Sequence, residues 1–283
     1  MMRERVKFQD FNMLWRTHVC RNESLRMTDD QAERDFWRSF MGRKAGYCPD
    51  GSSRQVVADV LLPLLQKYDI RTALEWGPGW GNYTIDLAKA CQSVDCVDIS
   101  QDVLTFIQRA GTEQGCGNIR TFAAKWEDFT PQRTYDLVFG YNCFYRQKDL
   151  ADCFSRMDRT AEKLCIAGMN SSLAPAWIHA FAQAGAEVRW EWKDYIYFIG
   201  VLYQMGIDPQ VAVLPFTKVV QYPDEAAMLE GERSRCVPGT IDDKTALQIL
   251  RQHLARQPDG QFRAEVPCHS GIVWWIPTGR QIL

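Results

Sequence analysis

Four residues carry the strongest chemical signal in the chain. Glu75, Gly77, Gly79 and Gly81 stand as acid-x-G-x-G-x-G, between an apolar run over 70–74 and a helix-like run over 83–90. An apolar strand, a glycine turn and a helix start in that order form a cradle of nucleotide size. The glycines let the backbone approach a ligand, and the helix start leaves N–H groups unpaired. The acid precedes the turn, where it can accept hydrogen bonds from a cationic ligand. The competing reading is a dinucleotide loop, G-x-G-x-x-G, which requires a third glycine at position 82. That position is Asn82, which disfavours NAD or FAD.

A second acid follows at the expected interval. The run Ser93-Val94-Asp95-Cys96-Val97-Asp98 reads as a strand ending in Asp98, whose carboxylate is placed to accept from both hydroxyls of a ribose. Ser100 is the expected N-cap of the next helix, which carries Val103, Leu104 and Ile107.

The glycine motif resembles the first motif of the class I S-adenosylmethionine-dependent methyltransferases, and βα alternation follows over roughly residues 70–185. The resemblance implies a cofactor site of Glu75, Gly77, Pro78, Gly79, Gly81, Asp98 and Ile99, with Ile99 against adenine. The third strand, over 118–123, leads to Lys125-Trp126-Glu127-Asp128. There Trp126 is placed to stack on the purine and Glu127 or Asp128 to accept from its amino group. Lys125 departs from the family, which commonly has an acid at that point. The fourth strand, 135–142, ends at Tyr141 beside the expected methyl donor. It lacks the prolines of the Asp/Asn-Pro-Pro-Tyr motif, which disfavours methylation of DNA amino groups, and the RNA-recognition aromatic signature is also missing.

These residues call for a doubly wound, mostly parallel, seven-stranded α/β sheet. An antiparallel C-terminal strand pair, N-terminal helices and a C-terminal helical insertion complete the expectation. Residues 1–52 read as an N-terminal helical cap, opened by a capping box at Thr28-Asp29-Asp30-Gln31. Residues 53–283 read as the methyltransferase domain, with a substrate-covering insertion over about 195–260. The helix over 53–67 contains Pro63 and is expected to kink there. Arg43, Lys44, Tyr47 and Arg54 lie where a cap could bring them to the ligand. Val188, Trp190 and Trp192 alternate with polar residues as a half-buried strand does. Tyr145, Tyr195, Tyr197 and Tyr203 are the candidates for an acceptor pocket, by lining it or holding a cation on their ring faces.

Composition narrows the class further. Net charge is −2, which gives no bulk field for nucleic acid or anionic membrane. The ten cysteines include no C-x-x-C pair, so they read as reduced thiols of a cytoplasmic protein, with no disulfide frame and no metal site. The charged N-terminus does not read as a signal peptide, and the longest apolar segment, 195–206, falls short of the ~20 residues of a membrane span. No dedicated catalytic base stands out, because His18, His179, His253 and His269 lie outside the motifs. The expected partner is a small-molecule methyl acceptor. The alternative is a scaffold or regulatory protein of the same fold that binds the cofactor without turnover.

Overall fold

The computed structural model describes residues 9–20, 25–189 and 194–279. The elements in chain order are α1 (Phe11–His18), α2 (Leu25–Thr28), α3 (Asp30–Gly42), α4 (Gly51–Val56), α5 (Leu62–Lys67), β1 (Thr72–Trp76), α6 (Thr84–Ala90), β2 (Ser93–Asp98), α7 (Gln101–Glu113), β3 (Ile119–Ala123) and β4 (Tyr135–Tyr141). There follow α8 (Leu150–Thr160), β5 (Ala161–Ser172), α9 (Ala176–Gln183), α10 (Ile196–Gln204), β6 (Gln210–Tyr222), α11 (Glu225–Arg233), α12 (Asp243–His253), β7 (Ala255–Arg256) and β8 (Phe262–Trp275).

The described strands form one eight-stranded sheet in the order β3-β2-β1-β4-β5-β8-β6, with the short β7 added antiparallel to β8. The sheet thus has one strand more than the seven expected. The extra strand is β7, two residues long, which follows α12 inside the stretch expected as a helical insertion. The helix stops at His253, and Ala255 and Arg256 pair with Arg263 and Phe262. Strands β1 to β5 pair in parallel. Reversal of strand order at β1 and β4 opens a crevice at their C-terminal ends, where ligands bind in such sheets.

Among the described residues, those within Met1–Met169, Lys193–Leu214 and Ser270–Leu283 form one compact unit, and those within Asn170–Trp192 and Pro215–His269 a second. Alternate residues of β1 and β4 feed two cores in the first unit, as strand geometry requires. Ala73, Leu137 and Phe139 pack with Val60, Leu64, Ile85, Leu104 and Ile107. Leu74, Trp76 and Val138 pack with Trp15, Phe144, Phe154, Phe198 and Trp275. The second unit has its own core of Trp177, Phe181, Met228, Ala246, Leu250 and Val266. Inside it, the carboxylate of Glu232 accepts from Trp177 Nε1 (2.8 Å), Arg235 Nε (3.0 Å) and the Tyr222 hydroxyl.

Aspartates set many helix starts. Asp10, Asp29, Asp50, Asp149, Asp224 and Asp242 each accept from the backbone N–H three residues on, at α1, α3, α4, α8, α11 and α12. Such caps contribute about 1 kcal/mol each. At α3 the cap is Asp29, one residue after the expected Thr28. Both side chains can cap, and Asp29 is the one that reaches Ala32 N, at 2.7 Å. Ser100 is the N-cap of α7, but its hydroxyl makes no capping bond. At Pro63 the chain widens into a π-turn over Val57–Leu61 instead of a simple kink. Proline has no N–H for the preceding turn, and a π-turn takes up the mismatch. The expected alternation at 188–192 falls partly outside the described residues. Of its members, Val188 forms an antiparallel bridge with Cys236, and Trp190 and Trp192 lie outside.

Candidate functional site

Strand register sets the site. β1 and β2 run level, with Trp76 opposite Val97, and β4 brings Gly140 opposite Trp76. Asp98 pairs with Ala123 of β3, and Tyr141 with Gly168 of β5. The loops after β1, β2, β3 and β4 therefore leave one sheet edge together. They surround a cavity of about 130 Å³ that opens to solvent.

The glycine loop forms one wall. Gly77, Gly79 and Gly81 have φ of +64°, +53° and +82°, a region where a side chain brings strain. Gly77 N donates to Val97 O at 2.9 Å, which hangs the loop on β2. A Cβ at Gly77 would come within 2.5 Å of the Cβ of Cys143, and one at Gly79 within 3.5 Å of the Trp37 ring. The bare backbone is thus required at Gly77, where the loop passes Cys143, whereas at Gly79 the contact is an ordinary one and the positive φ is what favours glycine.

Nine residues expected at the site line the cavity together: Gly77, Pro78, Gly79, Asp98, Ile99, Trp126, Glu127, Tyr141 and Tyr145. Asp98 accepts from Ser100 N at 2.8 Å, and burial pushes its carboxyl up to about 7 against that bond. The Trp126 ring stacks on Trp76, with centroids 5.2 Å apart.

Glu75 lies behind the loop and does not line the cavity. Its carboxylate accepts from Thr84 Oγ1 at 2.6 Å and from the Cys96 thiol at 3.7 Å, so it ties β1 to α6 and β2. Burial without a cation raises it from 4.5 to about 7. Gly81 also faces inward, toward Ile107 and Tyr47. Lys44 stands over the rings of Phe40 and Trp80. Arg43, Lys44, Tyr47 and Arg54 are not among the lining residues.

Tyr195, Tyr197 and Tyr203 are elsewhere. Tyr195 presses on Gly271, Tyr197 packs on Trp15 and hydrogen-bonds His18 Nδ1 at 3.0 Å, and Tyr203 is 68% exposed.

Several lining residues escape sequence reasoning: Glu33, Trp37, Trp80, Asn142 and Arg146. Glu33 is 1% exposed, and its carboxylate accepts from Trp37 Nε1 (2.7 Å), Arg26 Nε (2.8 Å) and the Tyr145 hydroxyl. A signal for it does exist. Positions 33, 36, 37, 40 and 41 form the apolar stripe of α3, and Glu33 is its one acid. Asn142 has φ +55° immediately after β4, a strained conformation that asparagine tolerates better than most residues. Such strain clusters at functional sites.

Residues 73–163 match a family model described as a methyltransferase domain. Among solved structures, the chain is similar to the YcgJ protein of Bacillus subtilis, at 13% identity over 76% of this chain and 97% of that one, with a TM-score of 0.50. It is equally similar to a putative methyltransferase from Bacillus halodurans, at 15% identity over 78% and 99% of the two chains, again with a TM-score of 0.50. Magnesium protoporphyrin IX methyltransferase from Synechocystis, solved with S-adenosylhomocysteine bound, matches at 14% identity over 95% and 100%, with a TM-score of 0.49. At these identities the first two likenesses speak for the fold alone. No curated protein matches the sequence.

Proposed function

Starting from a chain that carries a class I S-adenosylmethionine-dependent methyltransferase domain, we propose that this enzyme methylates a small, largely uncharged molecule. The observation that carries the reading is the single cavity edge on which the glycine loop, Asp98 and the end of β4 converge. The residues fit the cofactor. The loop offers bare backbone at Gly77, where a Cβ would collide, Asp98 offers a carboxylate for ribose hydroxyls, and Ile99 offers an apolar face for a purine, whereas the expected stacking partner Trp126 is 2% exposed and already stacked on Trp76. Glu127 is the acceptor for the purine amino group. When bound, S-adenosylmethionine supplies an electrophilic methyl group.

The acceptor side is formed by Trp37, Tyr83, Tyr141, Asn142 and Tyr145. Charges around it are compensated within the protein: Glu33 by Arg26, and Arg146 by Asp30. Placing a charged acceptor there would break one of these pairs, which favours an uncharged one. Aromatic walls suit a flat molecule and exclude water, so orientation provides much of the acceleration. Tyr145 holds a hydroxyl on Glu33, and burial together with that carboxylate raises it well above the usual phenol range. It therefore stays a hydrogen-bond donor rather than a base. Tyr195, Tyr197 and Tyr203 have no part in this reading. The net charge of −2 gives no bulk field for nucleic acid, which supports a small-molecule partner. No helix among the described residues is long and apolar enough to cross a membrane, and we take the enzyme to work in the cytoplasm.

Calorimetric titration with S-adenosylmethionine, S-adenosylhomocysteine and NAD tests the cofactor. A small-molecule library screened for cofactor-dependent methyl transfer tests the acceptor. Efficient methylation of RNA or protein with no small acceptor found would overturn the second part. Tight cofactor binding with no acceptor of any kind would favour a non-catalytic scaffold.

A further inference from the structure

Lys125 stands in the loop after β3, where the resembling family commonly has an acid, and the structure gives it a partner. Its Nζ lies 2.8 Å from Asp30 Oδ2, on the first turn of α3. The other oxygen of the same carboxylate accepts from Arg146, which comes from the turn after β4. Arg146 also donates to the carbonyls of Arg26 and Asp29. One carboxylate thus joins two loops that do not touch the cavity at the same place. Lys125 borders Trp126 and Glu127 on the purine side, and Arg146 follows Asn142 and Tyr145 on the acceptor side. The helix that carries Asp30 adds Glu33 and Trp37 to the cavity wall.

We propose that Asp30 is a positioning residue that couples the two sides of the cavity, so that ordering the purine-side loop also orders α3 and the acceptor wall. The proposal rests on the cofactor reading above. Energetically it asks for little. Asp30, Lys125 and Arg146 have side chains 31%, 34% and 15% exposed, so each pair is weak enough to break and reform and shielded enough to matter. Losing the shared carboxylate frees Lys125 and breaks the link between the two loops, while Arg146 keeps its bonds to the carbonyls of Arg26 and Asp29. Losing Lys125 breaks the same link from the purine side alone. The consequence is an order of events: cofactor first, acceptor second, with the acceptor wall completed by the first ligand.

Hydrogen exchange of the full chain with and without S-adenosylhomocysteine reads this directly. In the wild type the ligand should slow exchange in 123–129, in α3 and in 143–148. In Asp30→Asn, protection of 123–129 should persist, while the ligand-induced slowing in α3 and 143–148 falls at least fivefold and ligand dissociation quickens about tenfold. Lys125→Met should lose the same distal protection while Arg146 still holds α3, and this keeps the test sound if Asp30→Asn folds poorly. An unchanged protection pattern in both variants, with the ligand bound, overturns the coupling and leaves the cofactor reading standing. Failure of the wild type to bind the ligand overturns both.

Discussion

Replacing Glu75 with glutamine should stabilise the ligand-free protein, and only above a definite pH. Glu75 is 1% exposed and has two neutral donors, the Thr84 hydroxyl and the Cys96 thiol, with no cation beside it. Burial raises its carboxyl from 4.5 to about 7. That is roughly 2.5 pKa units, or about 3 kcal/mol of differential interaction. The folded state keeps a proton that the unfolded chain releases between those values. Its stability contribution is therefore fully present below pH 4.5, falls as pH rises through about 7, and is lost beyond. Glutamine keeps an acceptor for Thr84 and removes the charge. Urea unfolding of both proteins from pH 5 to pH 9 should show a gap under about 1 kcal/mol at the acid end, widening to about 3 kcal/mol above neutrality. Asp98 titrates in the same window and its charge adds to the Glu75 shift, so Asp98→Asn is made in both proteins to isolate Glu75. A gap of the same size at pH 5 and pH 8 would refute the reasoning, because packing alone carries no pH dependence.

Other expectations follow from the same geometry. Gly79→Arg should leave a folded protein by circular dichroism yet abolish S-adenosylmethionine binding by calorimetry, since Gly79 sits at φ +53° on the cavity wall. Asp98→Ala should weaken that binding by about 1–3 kcal/mol. Wild-type affinity should rise with pH through about 7, as the buried Asp98 ionises and becomes a better acceptor, and titrations at pH 6 and pH 8 check it. Gly77→Ala should destabilise the protein through its clash with Cys143 Cβ at 2.5 Å, and Cys143→Gly in the same chain should recover part of the loss in a thermal melt. Glu232→Ala should destabilise the second unit by about 1–3 kcal/mol, chiefly because it strands the buried Trp177 donor; partial unfolding followed by tryptophan fluorescence measures it.

The sequence reads best where structure is local. The expected bounds of β2, Ser93–Asp98, are those it has, because a run with Val94, Cys96 and Val97 ends abruptly at an acid and a cap. The glycine motif is equally local, and most of its cavity-facing neighbours follow from strand order alone. What stayed hidden is set by contacts between distant segments. Glu75 has the right type and place for a ligand group, yet its side chain turns to Thr84 and Cys96, and only tertiary packing decides which way it points. Glu33 and Trp37 lie some forty residues before the glycine loop in the chain, on a helix whose approach to that loop no spacing rule announces. Tyr195 and Tyr197 have the composition of a ligand-binding pair, but their rings are taken up against Gly271 and Trp15.

The strand order also constrains how the molecule can be made. β8 is the last strand along the chain, yet it lies between β5 and β6. β6 joins the sheet only through β8, so until β8 has been made β6 has no strand to pair with and β5 keeps a free edge. Both then offer unpaired backbone groups to each other and to other chains, a situation that invites mispairing. Folding of this sheet is therefore a closing event rather than a growing one, and its rate should respond to changes in β8 more than to equal changes in the early strands.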